Sequence, residues 1–414
     1  MDPRILVKAD YWLGVPLCAL LTGVRRLRDA LGRPAPAPPR KILFIKLEEQ
    51  GALVLAADAF RRAAELVGPE NVYCCLFEKN RPILDLLHLV RPENVLTIDT
   101  RNPVAALASA AGILRTVRRL GIDSIVDLEG FARMSAAFTY LCGGTRRVGT
   151  HRFTASAPYR GDLMTHRVAY SPYLHAAAQF SVLVEALAAA PGDAPLLKAF
   201  APELPLEAPQ HTPRPEALAR VRALLPPGHA PLIIFTPNSS DILRLRKWPI
   251  ENYISVGRTL REVLPGCTIV FTGLESERAD CAAAARAIGL DDAANLAGAL
   301  TLEELCALFT LGDLLLTNDS GPGHFAAMTD IHQVILFGPE TPQLYRPLGT
   351  RVHVLYHALA CSPCLTALNH RISPCQDNQC VKGVTTGEVL TEIEACLRQR
   401  EQSGLLGAGL RGEA

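Results

Sequence analysis

The chain has 414 residues, about 2.8 times a typical 150-residue domain, so a single small module is excluded and two sizeable domains are expected. Hydrophobic residues make up 49% and charged residues 20%, enough apolar material for packed cores, which excludes a wholly disordered chain. With 42 basic and 41 acidic residues the formal charge is +1, so no global field draws the chain to nucleic acid and charged recognition must be local.

The first ten residues carry both signs of charge, and no small-residue cleavage site closes the apolar run that follows, so no signal peptide is read and a cytoplasmic chain is expected. Tyr11 to Val24 (YWLGVPLCALLTGV) is too short to span a bilayer. It opens on a Tyr-Trp pair, is interrupted by Pro16 and closes on Arg25, Arg26 and Arg28. Such a segment fits a helix lying in a membrane interface, and equally one packed on the protein's own surface. Arg33 to Arg40 (RPAPAPPR) reads as a semi-rigid linker, so residues 1–40 are expected to be an appendage to the body.

From Lys41 onward, short β-branched runs alternate with helical patterns, the signature of a parallel sheet built from βαβ units. Strands are expected at Ile42 to Leu47, Val72 to Phe77, Val95 to Asp99 and Ser124 to Leu128, with a helix over Val104 to Leu120. Residues 41–205 form the first domain. A Pro- and Ala-rich stretch reads as an interdomain connection, placed at 206–230. A second series follows, with strands at Leu232 to Phe235, Thr268 to Thr272, Leu314 to Thr317, Val334 to Phe337 and Val352 to Leu355. It defines a second domain at 231–400, leaving 401–414 as a flexible tail. Two Rossmann-like, doubly wound α/β domains put the expected ligand cleft between them, at the carboxyl ends of the strands.

The richest stretch is NDSGPGHFAA, Asn318 to Ala327, directly after a strand. Ser320 is a helix N-cap candidate, Gly321 and Gly323 leave backbone N–H groups open to a ligand, Asp319 can orient the loop and His324 can reach an anion. Read alone, a strand followed by D-S-G is also an ordinary helix start. A second segment, FTPNSSDILRLRKWPIENY from Phe235, leaves a strand through Asn238, Ser239 and Ser240 and passes Arg244, Arg246 and Lys247 before Trp248-Pro249. Lys247 offers a point charge suited to phosphate; the basic run also reads as an ordinary solvated face, but its position after a strand of the same half as the Asp319 loop favours a shared diphosphate site.

D-S-G-P-x-H-x-A-A, the K-W-P element and the intervening F-T-G-L-E-S-E-R together resemble glycosyltransferase family 9, the bacterial heptosyltransferases of lipopolysaccharide core synthesis, in the right order from about Lys41 to Cys396. The resemblance implies a GT-B fold, an acceptor bound by the first half and a nucleotide-diphosphate sugar, typically ADP-heptose, by the second. It also implies inversion at the anomeric centre, no divalent metal and no other cofactor. Carried over, it puts the diphosphate against Ser320, Gly321 and Gly323, with Lys247 and the Asn238–Ser240 turn beside it and Gly273 and Glu275 near the nucleoside. Phe337-Gly338-Pro339 resembles the family's closing turn.

The chain departs from the family at one position. Family members carry Gly-Asp after the first strand, the Asp acting as general base on the acceptor hydroxyl, whereas this chain has Gly51-Ala52 in KLEEQGA. Base catalysis contributes roughly 10² to 10⁴ in rate, so a working transferase needs a substitute. Glu48 and Glu49 lie just upstream and Glu129 follows the fourth expected strand; Glu49 is the favoured base, with Glu48 beside it.

Of the 12 cysteines, Cys18, Cys74, Cys75, Cys142, Cys267, Cys281, Cys306 and Cys396 read as small core residues. Cys361, Cys364, Cys375 and Cys380 crowd around His370 and are numerous enough for a tetrahedral zinc. A similar segment occurs in many family 9 enzymes that need no metal, so no metal is expected. The expected function is heptose transfer from ADP-heptose to a lipid-linked core glycan by a peripheral protein on the cytoplasmic face of the inner membrane, without nucleic acid. The alternatives are a UDP- or GDP-sugar transferase for surface polysaccharide, or a non-catalytic binding protein of the same fold. Arg146, Arg147, His151 and Arg152 read equally as acceptor contacts and as surface bases.

Overall fold

The computed structural model describes residues 10–32, 37–155, 157–190, 203, 207–226, 229–238 and 241–408. The chain divides into two units, Met1–Pro205 with Thr366–Ile372, and Leu206–Leu365 with Ser373–Ala414.

Unit 1 holds β1 (Ile42–Ile45), β2 (Val72–Phe77), β3 (Val95–Ile98), β4 (Ser124–Asp127), β5 (Arg146–Thr150) and β6 (His166–Val168). They form a 6-stranded sheet in the order β3-β2-β1-β4-β5-β6. Each pairing is parallel, with Ile42 opposite both Val72 and Ser124. This is the Rossmann order, and the chain reverses its winding between β1 and β4. The inner strands are apolar on both faces because helices cover both, and β1 is wholly buried. Leu43, Ile45, Cys75 and Ile125 pack against Ile113 and Val117 of the helix Pro103–Leu120. That helix starts where the Asn102 side chain accepts from the Ala105 amide at 2.8 Å, and stops at Gly121, whose φ of +65° suits glycine.

Unit 2 holds β7 (His229–Thr236), β8 (Cys267–Phe271), β9 (Leu314–Asn318), β10 (His332–Phe337) and β11 (Val352–Tyr356). These make a 5-stranded parallel sheet in the order β11-β10-β9-β7-β8. Relabelled within the unit this is the flavodoxin-like order 2-1-3-4-5, whose winding reverses between β7 and β9. Ile233, Phe235, Ile269, Phe271, Leu314 and Leu316 fill its core with Trp248 and Tyr253.

The expected strands appear within a residue or two of their limits, except that β7 starts earlier, at His229. Four features differ from expectation. Strands β5 and β6 were not foreseen, because arginines and a histidine break their apolar signal. The stretch expected to be a linker contains the helix Pro215–Leu224, with Ala217 and Val221 buried against unit 2. The expected tail is folded as far as Ala408, where the Gly407 amide donates to Asp313 at 2.8 Å; residues 409–414 lie outside the described residues.

The N-terminal segment is not an appendage. Its helix, Gly14–Ala30, buries Cys18, Thr22 and Arg25, and Cys18 shares a small core with Ala136, Ala137 and Tyr140 of the helix Arg133–Cys142. Arg25 pairs with Asp29 at 2.6 Å and Asp162 at 2.5 Å. The outward face of the helix carries the exposed Leu20 and Leu27, and Trp12, Leu13 and Leu31 stand exposed at its two ends.

Candidate functional sites at the two switch points

In an open parallel sheet, ligands gather at the carboxyl ends of the strands where the winding reverses. Each unit has one such point, and each is lined by a different chemistry.

In unit 1 the loop after β1 meets the loop after β4. Lys46, only 2% exposed, donates to Glu129 at 3.1 Å and to Glu49 at 3.3 Å. The Glu129 carboxylate also accepts from the amides of Leu47 at 2.6 Å and Glu48 at 3.0 Å, so it serves as the brace of the β1 loop. Beneath it, Asp127 accepts from the Glu129 amide at 3.0 Å and pairs with buried Arg160. These bonds commit Glu129 to structure rather than to proton transfer.

The two favoured glutamates differ. Glu49 sits at φ +64°, an uncommon backbone for a residue with a Cβ, and pairs with Arg371 as well as Lys46. The Glu48 carboxyl is raised above its ordinary value, first by burial and then by the neighbouring Glu129, against the opposing pull of Lys79, Lys46 and Arg371. Burial and a like charge are the two influences that make a carboxylate a stronger base. Ala52, where the resemblance expects the Asp, lies within a short helix, Gln50–Leu55.

Arg371 and Lys46 were not among the expected residues. Lys46 had a signal, a charged side chain ending the apolar strand ILFIK; Arg371 had none, since it reaches the β1 loop from a distant segment that folds into unit 1. Arg146 and Arg147 are not acceptor contacts. Both lie in β5 and are buried: Arg146 donates to the carbonyls of Ala37 at 2.8 Å and Leu187 at 2.5 Å, and Arg147 to those of Leu163 at 2.8 Å and Gly144 at 2.6 Å. His151 is held down to about 4 by burial and by Arg167, so it is neutral at physiological pH.

In unit 2 the loops after β7 and β9 adjoin through Asn318. Its side chain accepts from the Trp248 amide at 3.1 Å and the Tyr253 hydroxyl at 3.2 Å, and donates to the Pro237 carbonyl at 2.6 Å. The basic segment is not a uniformly solvated face. Arg246 pairs with Asp319 at 3.2 Å and with buried Glu340, and donates to the Asp319 carbonyl at 3.3 Å. Its charge is spent on two carboxylates. Burial raises the Asp319 carboxyl and Arg246 opposes the rise. Asn378 fixes the same segment by donating to the carbonyls of Leu245 at 2.9 Å and Lys247 at 2.8 Å. The partly buried Lys247 is thereby held next to the switch point.

Ser320 precedes the helix Gly321–Ala326, but its hydroxyl turns back to the Asn318 carbonyl at 3.1 Å instead of capping. Gly321 is partly exposed, whereas Gly323 is buried, and a Cβ on it would meet Ile335 at 3.0 Å. Gly323 therefore lets the helix pack closely on β10, and a Cβ there would have to displace the end of the Ile335 side chain by a few tenths of an ångström. His324 is also buried. Asn238 reaches towards Cys281 at 3.8 Å, and Ser239 and Ser240 lie outside the described residues. After β8, the Gly273 carbonyl accepts from the Gly298 amide at 2.9 Å and a Cβ on Gly273 would meet Glu277 at 2.6 Å. Glu275 is 72% exposed and pairs with Arg278 at 3.2 Å. Phe337-Gly338-Pro339 is structural: a Cβ on Gly338 would collide with Val381 at 2.2 Å, and the Pro339 carbonyl accepts from the amides of Cys364 at 2.9 Å and Leu365 at 2.8 Å.

The sequence model of glycosyltransferase family 9 (heptosyltransferase) matches residues 111–371, more than half of the chain. Lipooligosaccharide heptosyltransferase 2 of Campylobacter jejuni is 33% identical over 101 residues, covering 24% of this chain and 31% of that protein. The chain thus matches about a third of that relative's length. The solved ADP-heptose lipopolysaccharide heptosyltransferase II of Escherichia coli superposes with a TM-score of 0.65 at 20% identity, covering 87% of this chain and 99% of that one. The Escherichia coli heptosyltransferase WaaC with ADP gives a TM-score of 0.59 at 16% identity, over 86% and 99%. At these identities the likeness establishes the fold: two Rossmann-like units of the GT-B type.

Proposed function

The chain belongs to glycosyltransferase family 9, and on that premise we propose that it moves a sugar, heptose from ADP-heptose, to a lipid-linked core glycan with inversion and without a divalent metal in the chemistry. The observation that supports this most is that the family-like motifs of both halves converge on the winding reversals of the two sheets, where a doubly wound fold takes its ligands.

Unit 2 takes the donor. The diphosphate lies at the β7 and β9 loops, against the amides of Ser320, Gly321 and Gly323 and the Lys247 ammonium, with Asn238 at its flank. Arg246 does not contact phosphate; it stiffens the loop that presents Lys247. Glu275, exposed after β8, accepts from the ribose hydroxyls.

Unit 1 takes the acceptor at the β1 and β4 loops. Glu48 is the general base, since its environment raises its basicity while the Glu49 carboxylate is engaged by Arg371 and Lys46. The acceptor hydroxyl oxygen forms a bond to the anomeric carbon as Glu48 takes the proton. The bond from that carbon to the diphosphate oxygen breaks, its electron pair leaving on ADP, and Lys247 with the loop amides stabilises that charge.

Contact with the cytoplasmic face of the membrane is assigned to the outward face of the helix Gly14–Ala30, where Trp12, Leu13, Leu20 and Leu27 stand exposed beside Arg26 and Arg28. Among the described residues no helix is long and apolar enough to cross a membrane. Because the inner face of this helix is packed, Trp12→Ser with Leu20→Ser and Leu27→Ser tests the contact more cleanly than deletion of residues 1–38. The triple variant should lose binding to anionic vesicles while keeping its melting temperature; unchanged binding contradicts the assignment.

The whole reading is tested by a transfer assay crossing ADP-, UDP- and GDP-linked sugars with lipid-linked acceptors. Turnover with the ADP sugar supports it. Preference for uridine or guanosine transfers the protein to surface-polysaccharide chemistry, and neither transfer nor donor hydrolysis would leave a binding protein of the same fold.

A further inference from the structure

At the end of unit 2's sheet opposite to the donor loops lies a cluster that the proposed transfer does not use. His332 opens β10, His353 is the second residue of β11, and Cys396 faces both from the helix Thr386–Gln402. One ligand atom from each lies within 4.8 Å of the other two, and among the described residues this is the one trio of histidine, cysteine or acidic groups that converges so closely. Cys361, Cys364, Cys375 and Cys380 do not form such a group, although their spacing suggested one.

Two features distinguish the trio from ordinary core packing. His332 Nδ1 and His353 Nε2 are both buried without a hydrogen-bond partner, and His332 is only 8% exposed. Buried polar atoms are nearly always satisfied, so two orphans on neighbouring rings call for an explanation. The other nitrogen of His353, Nδ1, faces Glu392 at 3.3 Å. An imidazole held by a carboxylate on one nitrogen, with the other left open, is the usual outer arrangement of a metal-bound histidine. The nearby arginines are paired elsewhere, Arg400 with Asp313 at 2.6 Å and Arg351 with Asp330 at 3.0 Å, and Glu392 is the acid beside the trio.

We propose that His332 Nδ1, His353 Nε2 and the Cys396 sulfur bind a zinc-class divalent cation that ties the last long helix to the sheet. An ion centred among atoms at the 4.8 Å limit sits about 2.8 Å from each, against about 2.0–2.3 Å for zinc bonds, so the side chains close by about half an ångström. Cys396 releases its proton to solvent on binding, and water takes the fourth position on the partly exposed His353 side. The strand β10 separates this site from the donor loops by about 17 Å, so its role is structural. Arg400, one helical turn beyond Cys396, already fastens the same helix through Asp313. The cation reinforces that attachment.

The test uses the full chain purified without a His-tag, stripped by chelator and titrated with Co²⁺ and then Zn²⁺, alongside a variant with Cys361, Cys364, Cys375 and Cys380 all changed to Ser. That variant should still bind one equivalent, with a tetrahedral cobalt spectrum carrying a single thiolate charge-transfer band and a raised melting temperature. His332→Gln and Cys396→Ser should reduce stoichiometry below a tenth of an equivalent, and Glu392→Gln should weaken affinity about 10- to 100-fold. Loss of all binding in the four-serine variant, or binding unchanged in His332→Gln, overturns the proposal. If the ligand variants do not fold, the four-serine variant alone decides.

Discussion

The switch points of the two units arise from the same kind of parallel sheet but carry opposite chemistry. At the β1 and β4 ends, three glutamates crowd around Lys46 and Arg371, and crowding plus burial leaves Glu48 with a raised carboxyl. At the β7 and β9 ends, the carboxylates of Asp319 and Glu340 are turned inward onto Arg246, beside the loop amides and the Lys247 to which the donor is assigned. The backbone topology decides where ligands are taken, and the loop side chains decide whether the place handles protons or anions. Sequestering acids is as much a part of an anion site as supplying bases.

The contrast can be broken at its most buried point. Arg246→Met leaves Asp319 and Glu340 buried without their cation, and loss of one partner of such a pair costs about 3–5 kcal/mol, so denaturant unfolding should show a loss of that order together with loss of ADP binding. A variant of wild-type stability would mean that the carboxylates were never held inward by Arg246. Lys247→Met is expected to spare the fold and weaken ADP about 10- to 100-fold, the value of a hydrogen bond to a charged group, as read by calorimetry. Equal ADP affinity would remove Lys247 from the donor site. Glu275→Ala should weaken ADP by less, roughly 2- to 10-fold, since its partner hydroxyls stay in contact with water.

The smallest effect is on stability and concerns the acidic side. A carboxyl raised in the folded state stabilises the fold below the ordinary glutamate range, and that contribution is lost as pH rises through its raised value. Glu48→Gln removes the penalty, so its melting temperature at pH 8 should equal or slightly exceed that of the parent. A clear drop would show that ionised Glu48 is a structural partner.

Most of the sheet was legible in the sequence because buried parallel strands are continuous apolar runs, as in ILFI and LLLTN. Strands β5 and β6 escaped because Arg146, Arg147 and Arg167 carry charge and His166 a polar ring into the sheet, where carbonyls and neighbouring side chains take them up. The donor loops were readable since glycine, serine and asparagine after a strand have local meaning. What Arg246 does was not, because its acids at Asp319 and Glu340 come from other loops. Arg371 was invisible for the same reason. The apolar run Tyr11 to Val24 marks a helix with an apolar side, but the run does not say which face the protein keeps for itself.

Proton removal is assigned to one unit and donor binding to the other, and Glu48→Gln separates them most directly. With donor and acceptor both saturating, its turnover should fall by about 10²- to 10⁴-fold while calorimetry returns an unchanged ADP affinity. Full turnover, or a loss of turnover that simply follows a loss of ADP binding, would contradict the account.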